Sequence, residues 1–279
     1  MTCGALIFAF NNEATDYVSM AAWSAVRIRH HLGIPVAVVT NSQDPALNSQ
    51  VDQVIYAEPE SGGTRFFEDY NSTVTWHNAG RVDAYALTPW EQTLVLDADY
   101  VVASSQLKFV INSQRDFMCH DRAYDIAKSR YLDELNTFGE HRLPMSWATV
   151  MMFRKSNTAA YIFDCMHMVR DNWDHYRALY KIQKSTYRND FALSIALGII
   201  SGGTWRVDSI PWSLASILPE YHLEQIAKAD ETFKITHREA TGRNLYSCVS
   251  GVDFHAMGKK HLGDIVETDR RTRLSNSSH

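Results

Sequence analysis

One stretch limits the fold more than any other: Thr93-Leu94-Val95-Leu96-Asp97-Ala98-Asp99-Tyr100-Val101-Val102. A β-favouring apolar run stops at two carboxylates spaced i, i+2 and then resumes. A strand interior has no place for two unpaired charges, so the strand is expected to end there. Open α/β sheets bind ligands in the crevice beyond the carboxyl ends of their strands. A carboxylate pair at such an end is placed to hold a divalent cation through oxygen.

The start of the chain supplies a matching sheet. Gly4 to Phe10 is apolar without alternation, as in a central strand covered on both faces. It gives way to Asn11-Asn12-Glu13. Asp16 predicts the cap of a helix over Tyr17 to His31, with Val18, Ala21, Ala22, Ala25, Ile28 and Leu32 on one face. Gly33 stops the helix, and a strand follows over Val36 to Thr40. This β-loop-α-β opening predicts a doubly wound arrangement.

Further on, the patterns predict a strand at Gln53 to Ala57, then a loop holding Ser61-Gly62-Gly63-Thr64. No Gly-Lys-Ser/Thr follows that Gly pair, so an ordinary loop is expected rather than a phosphate cradle. A helix is expected over Asn78 to Leu87, broken by Thr88-Pro89, and a strand over Trp147 to Phe153. One long helix is expected from Thr158 to Tyr180, where Ile162, Met166, Val169, Trp173 and Tyr176 recur at helical spacing. A second helix, Phe191 to Ile200, follows Arg188-Asn189-Asp190. Trp205 to Ile210 and Tyr246 to Phe254 read as β, and His255 to His261 as a compact polar loop. The expected whole is α/β, a mixed and mainly parallel sheet flanked by helices. A single domain over residues 1–269 would hold a nucleotide-binding half to residue 103 and an acceptor half from 104. Residues 270–279, basic and then Ser/Asn-rich, read as a flexible tail.

Composition narrows the function. A net charge of -5 argues against a nucleic-acid-coating surface. Still, Arg170, Arg177, Lys181, Lys184 and Arg188, with Tyr180 and Tyr187, form a stripe able either to track a phosphate backbone or to face solvent. The clusters His120-Asp121-Arg122 and Glu140-His141-Arg142 suit a solvated surface as well as an acceptor site. The four cysteines form no CxxC pair and read as buried thiols in a reducing compartment. With no signal-like segment and no apolar run of bilayer length, a soluble, cytoplasmic protein is expected.

A second set of groups complements the carboxylate pair. His255 is a candidate third ligand, since Mn²⁺ takes imidazole as well as carboxylate and Mg²⁺ prefers oxygen. Lys259 and Lys260 follow, placed to neutralise phosphate, and Gly258 lets backbone approach a ligand. Asp97, Asp99, His255 and the Gly-Lys-Lys segment together read as a diphosphate–metal site.

These segments resemble a known family. Arg81-x-x-Ala84-x-x-Leu87-Thr88-Pro89-Trp90-Glu91-x-Thr93-Leu94-x-Leu96-Asp97-Ala98-Asp99 is similar to the DxD region of GT-A-fold glycosyltransferases. The likeness is to the family 8-like group of glycogenin and the lipopolysaccharide galactosyltransferases. His255-x-x-Gly258-x-Lys260 resembles that family's His-x-x-Gly-x-x-Lys motif, with the lysine one residue early. Phe10 and Asn11 at the end of the first strand, with Tyr17, resemble its uridine-binding start.

The resemblance implies a Rossmann-like nucleotide half, Mn²⁺ (or Mg²⁺), a UDP-sugar donor and transfer with retention. Asp97, Asp99 and His255 would bind metal, with Arg81, Ala98, Trp147, Lys259 or Lys260 around the donor. Two departures stand out. Ser146-Trp147-Ala148 replaces the family's Asn-x-Gly, and Asn189-Asp190 replaces its Asp-Gln. Asp190, with Asn189, is the candidate to steady the sugar or acceptor, although a plain helix cap explains it nearly as well. Expected acceptors are a saccharide or, by likeness to phage enzymes, a hydroxymethylated DNA base in the host cytoplasm. The rival readings are a nucleotidyltransferase that makes nucleotide-sugars, whose Gly-rich basic loop is missing after the first strand, and a non-catalytic nucleotide-sugar-binding protein.

Overall fold

The computed structural model describes residues 2–67, 70–183, 186–204, 208–239 and 241–276. Its centre is a six-stranded sheet in the order Gln53–Tyr56, Val36–Thr40, Cys3–Phe8, Gln92–Asp97, Trp147–Arg154, Phe117–His120. The first four strands are mutually parallel. Trp147–Arg154 runs antiparallel between Gln92–Asp97 and Phe117–His120. Its amino end therefore lies beside the carboxyl ends of the parallel strands, where the crevice opens.

The strands are buried on both faces, and their period of two divides the core. Ala5, Ile7, Val36, Val38, Leu94, Leu96, Val150 and Met152 join one apolar cluster with the helix Tyr17–Leu32. Leu6, Phe8, Ala37, Val39, Val95, Met151 and Phe153 join the other. There they meet Ile162, Phe163 and Met166 of the helix Asn157–Asp171, and Leu193, Ala196 and Leu197 of the helix Asn189–Ile200. Apolar runs without alternation fit because helices cover both sides.

The opening helix forms as its sequence demands. Asp16 accepts the backbone N–H of Ser19 at 3.0 Å. Gly33 ends the helix at φ 73°, a left-handed conformation suited to glycine, and its N–H donates to the Arg29 carbonyl.

A second sheet runs Arg130–Tyr131, Ala123–Asp125, Leu214–Ile217, Phe254–Ala256, Tyr100–Val101. It ties the far end of the chain to the carboxylate strand. His255 pairs antiparallel with Tyr100, and the Ala256 N–H donates to the Asp99 carbonyl at 3.0 Å. An antiparallel meander of His222–Ala227, Thr232–Arg238 and Asn244–Ser250 lies beyond.

Several expectations are corrected. The helix expected over Thr158 to Tyr180 is two, Asn157–Asp171 and Trp173–Leu179, parted at Asn172. The helix expected over Asn78 to Leu87 is a 3-10 segment, Ala79–Asp83, followed by the short helix Ala84–Leu87. The tail expected from residue 270 is helical through Asn276, in the helix Lys259–Asn276, which packs on the opening helix through Val266. The compact loop expected to His261 already enters that helix at Lys259. His120 is fully buried rather than solvated, whereas Glu140, His141 and Arg142 are exposed. Cys119 is buried but Cys248 is exposed, and none of the four thiols is paired. In the strand expected over Trp205 to Ile210, residues 205–207 lie outside the described residues. Ser209 makes only an isolated bridge to Cys119. No helix among the described residues is long and apolar enough to cross a membrane.

Candidate functional site

A cavity of about 390 Å³ opens at the carboxyl ends of the parallel strands. Asp97 is the last residue of Gln92–Asp97, and Asp99 follows after Ala98. The strand pairing between Phe254–Ala256 and Tyr100–Val101 brings His255 to the same edge. Potential ligand atoms of Asp97, Asp99 and His255 all lie within 4.8 Å of one another. His255 Nε2 is 3.6 Å from Asp99 Oδ1, while its Nδ1 is buried with no hydrogen-bond partner among the described residues.

The donor set suits a hard or borderline divalent ion: two carboxylates and one imidazole. Neighbouring ligands on such an ion stand roughly 3–4 Å apart, given metal–oxygen distances near 2.1 Å. Modest convergence of the three side chains would reach that spacing. As they stand, the carboxylates are held by cations. Arg81 donates to Asp97 Oδ1 at 2.5 Å and to the Ala148 carbonyl at 3.0 Å. Lys259 is ion-paired with Asp99 and donates to the Ala256 carbonyl at 3.1 Å.

The two carboxyl groups are driven apart in acidity. Burial pushes Asp97 above the usual carboxylate range against the pull of Arg81, and its neighbour Asp99 adds to the push. Burial opposes ionisation of Asp99 too. There the charges of Lys259 and His255 win, and the group is held well below its ordinary value. Like charges two residues apart share one site, and the lysine decides which of them stays ionised most readily.

Asp190 and Asn189 open the helix Asn189–Ile200, facing the first residues of Trp147–Arg154. Asp190 Oδ1 accepts the Ala148 N–H at 2.9 Å, and Oδ2 accepts from Arg188 at 2.7 Å. Burial alone would raise its pKa, but Arg188 and the Ala148 N–H outweigh burial, so the pKa is lowered overall. Asn189 donates to the Asn78 carbonyl at 2.9 Å and accepts from the Tyr187 hydroxyl at 3.3 Å. Tyr17 lines the cavity beside the metal-ligand candidates. Burial, then the Asp99 charge, pushes its phenol far above the ordinary range.

Most of the residues singled out from the sequence meet here: Phe10, Tyr17, Arg81, Asp97, Ala98, Asp99, Trp147, Asn189, Asp190, His255 and Lys259 all line the cavity. Three stand outside the lining. Asn11 is exposed, and its Oδ1 accepts the Val18 N–H at 2.9 Å. Gly258 backs onto Pro219, where an added Cβ would come within 3.0 Å of the carbonyl oxygen. Lys260 is exposed on the first turn of the last helix. The lysine at the carboxylates is thus Lys259, ion-paired with Asp99, and not Lys260 of the His-x-x-Gly-x-Lys likeness.

The sequence reading passed over one wall entirely. A hairpin, Thr64–Phe67 with Ser72–Thr75, covers the cavity and brings in Arg65 and Phe66, followed by Trp76 and His77. Its signal was the β-branched run Ser72-Thr73-Val74-Thr75 opposite Thr64-Arg65-Phe66-Phe67, four residues each, too short to stand out beside the glycines. Arg188 had been read only as one of a basic stripe. That stripe is paired off: Arg170 with Glu60, Arg177 with Asp174, Lys181 with Glu140 and Arg188 with Asp190. Tyr187 is buried, and Lys184 lies outside the described residues.

Among solved structures, the chain is similar to the galactosyltransferase LgtC in complex with donor and acceptor sugar analogues. Identity is 14%, the match covers 74% of this chain and 72% of that one, and the TM-score is 0.46. It is similar to the glycosyltransferase GlyE of Streptococcus pneumoniae at 12% identity, covering 76% of this chain but only 46% of that one, with a TM-score of 0.41. It is also similar to mouse xyloside xylosyltransferase 1 at 10% identity, covering 73% and 83%, with a TM-score of 0.42. No family model and no curated protein matches the chain. At such identities and TM-scores, a functional reading rests on the cavity.

Proposed function

We propose that this protein is a metal-dependent glycosyltransferase that moves a sugar from a nucleotide-diphosphate donor, UDP best suited, to a hydroxyl acceptor with retention. One observation carries the proposal: Asp97, Asp99 and His255 converge within 4.8 Å at the strand ends, with Lys259 paired to Asp99, in a cavity of about 390 Å³. That combination fits a diphosphate held beside a divalent ion.

Asp97, Asp99 and His255 would hold Mn²⁺ or Mg²⁺, which supplies positive charge to a leaving diphosphate without a proton being transferred. Lys259 adds a second cation at the place where that charge develops. Phe10 and Tyr17 form an aromatic wall for the nucleoside, and Arg81 fixes the orientation of Asp97. Asp190 faces the transferred sugar. Its carboxylate has both oxygens engaged and a lowered pKa, which makes it a weak proton acceptor. An inverting enzyme needs a general base opposite the leaving group. An Asp190 held ionised at neutral pH suits instead a retaining reaction, in which it stabilises the oxocarbenium-like sugar and the departing phosphate takes the acceptor proton.

A saccharide hydroxyl is the favoured acceptor, since the described members of the basic stripe that a DNA acceptor would use are each paired with a carboxylate. The test is incubation with a panel of UDP-sugars and Mn²⁺, reading released UDP and new masses in glycan pools and in hydroxymethylated DNA. Metal-dependent UDP release with a labelled glycan is the expected result. Labelled DNA would replace the acceptor while keeping the reaction. A nucleotidyltransferase would instead consume sugar phosphate and nucleoside triphosphate, and a binding module would release nothing.

A further inference from the structure

The carboxylates lining the cavity are each matched by one cation: Asp97 by Arg81, Asp99 by Lys259, Asp190 by Arg188. Arg65 lines the same cavity and has no carboxylate partner among the described residues. It is held in place by uncharged groups. Its guanidinium lies 3.9 Å from the centroid of the Trp76 ring, and one NH₂ donates to the Tyr187 carbonyl at 3.3 Å. The hairpin that carries it is tied down at both strands. Glu13 accepts from the Thr75 N–H and hydroxyl at 3.2 and 3.1 Å, and the Thr186 hydroxyl donates to the Thr64 carbonyl at 2.9 Å. Arg65 is therefore a positioned cation rather than a loose surface arginine.

Its neighbours make that charge costly. Burial, and then repulsion from Arg188, push the Arg65 pKa down to about 10, so it stays protonated at neutral pH. Among the described residues lining the cavity, four cations thus face three carboxylates, of which Asp190 and Asp97 attract Arg65 from a distance without pairing with it. A nucleotide-diphosphate ester brings two negative charges, and a divalent ion offsets them. Counted over the described residues, the loaded cavity is left with one positive charge in excess, and a half-buried guanidinium with no carboxylate in contact is best compensated by one that a ligand provides. Arg188 beside it has a buried Nε with no partner among the described residues, a second donor on the Asp190 side.

We infer that Arg65 recognises a carboxylate on a sugar bound in this cavity, which makes uronic acids, rather than neutral hexoses, the substrate class. The inference rests on the glycosyl-transfer reading above. The carboxylate has two sources, the donor sugar and the acceptor sugar, and guanidinium–carboxylate pairing is the same chemistry in both.

The test measures, with Mn²⁺ present, calorimetric dissociation constants for UDP, UDP-glucuronate, UDP-galacturonate, UDP-glucose and UDP-galactose. It uses the wild type, Arg65→Gln and Arg65→Lys. A second arm measures transfer to glucuronate-terminated and glucose-terminated oligosaccharides. The wild type is expected to favour the acidic sugar in one arm by about ten- to a hundredfold, the range of a charge-assisted hydrogen bond. The ratio should fall to near one in Arg65→Gln and to an intermediate value in Arg65→Lys. Preference in the donor arm assigns the carboxylate to the donor, and preference in the acceptor arm assigns it to the acceptor. Absence of preference in both arms of the wild type, or an unchanged ratio in both variants, overturns the inference. UDP alone keeps the two readings separate. If UDP fails to bind the wild type, the glycosyl-transfer reading falls first; if UDP binds without an acid preference, only the role of Arg65 falls.

Discussion

Asp97→Asn is expected to damage the protein twice, and the two kinds of damage can be separated. Arg81 is only 1% exposed, and Asp97 is the carboxylate that compensates its charge, at 2.5 Å. Two of its other nitrogens, Nε and one NH₂, are buried without partners among the described residues. Asparagine keeps the shape and an acceptor oxygen but removes the counter-charge. Breaking a buried pair from one side costs about 3–5 kcal/mol, because the surviving charge is stranded. That corresponds to a melting temperature lower by roughly 5–9 °C for a chain of this size. Removing the stranded charge as well, in Asp97→Asn/Arg81→Met, should return more than half of the lost stability. It should not restore Mn²⁺ binding, since the ligand oxygen is still neutral. Urea unfolding of the four proteins in this cycle, with Mn²⁺ titration followed by calorimetry, reads both effects. A single variant as stable as the wild type, or a double variant no more stable than the single, would refute the claim that Asp97 compensates Arg81. Full Mn²⁺ affinity in the double variant would refute its role as a ligand.

Other outcomes follow from the same structure. His120 is fully buried, with Nδ1 2.9 Å from the Trp212 carbonyl, and burial lowers its pKa from 6.5 to about 4. The unfolded chain therefore takes up this proton first as pH falls. Stability should drop between pH 6.5 and 4 by about 3 kcal/mol from this group alone, and urea unfolding should show a flatter pH profile for His120→Gln. Gly62→Ala would place a Cβ 2.1 Å from the Trp76 ring. It is expected to cost about 1–3 kcal/mol and to release Arg65 from its stacking, which tryptophan fluorescence and thermal melts would register. Mn²⁺ at a hundred times its dissociation constant should stabilise the wild type by about 2.7 kcal/mol. His255→Ala should show no such gain, and neither protein should gain in excess chelator.

Local rules and long-range pairings differ in how far they could be read ahead of the structure. The central sheet was readable because Cys3–Phe8, Val36–Thr40 and Gln92–Asp97 are apolar runs bounded by Asn, Gly and Asp. The carboxylate pair was readable for the same reason: charge ended a strand. His255 was reachable only as a candidate, since its approach to Asp99 depends on pairing between Phe254–Ala256 and Tyr100–Val101, residues some 155 positions apart. The hairpin bearing Arg65 and the first two strands of the meander, His222–Ala227 and Thr232–Arg238, were missed. Their strands are short or half exposed, and their order is set by partners rather than by any local signal. The break at Asn172 inside an unbroken helical pattern belongs to the same class: nothing in the spacing of apolar residues marks it.

The central claim is that Asp97, Asp99 and His255 hold a metal that in turn holds a nucleotide diphosphate. Calorimetric titration of UDP into the wild type and Asp99→Asn, with Mn²⁺ and with excess chelator, tests it most directly once circular dichroism has shown both proteins folded. The expected result is binding only in the wild type with Mn²⁺ present. UDP binding of equal strength in chelator, or in Asp99→Asn, would contradict the account.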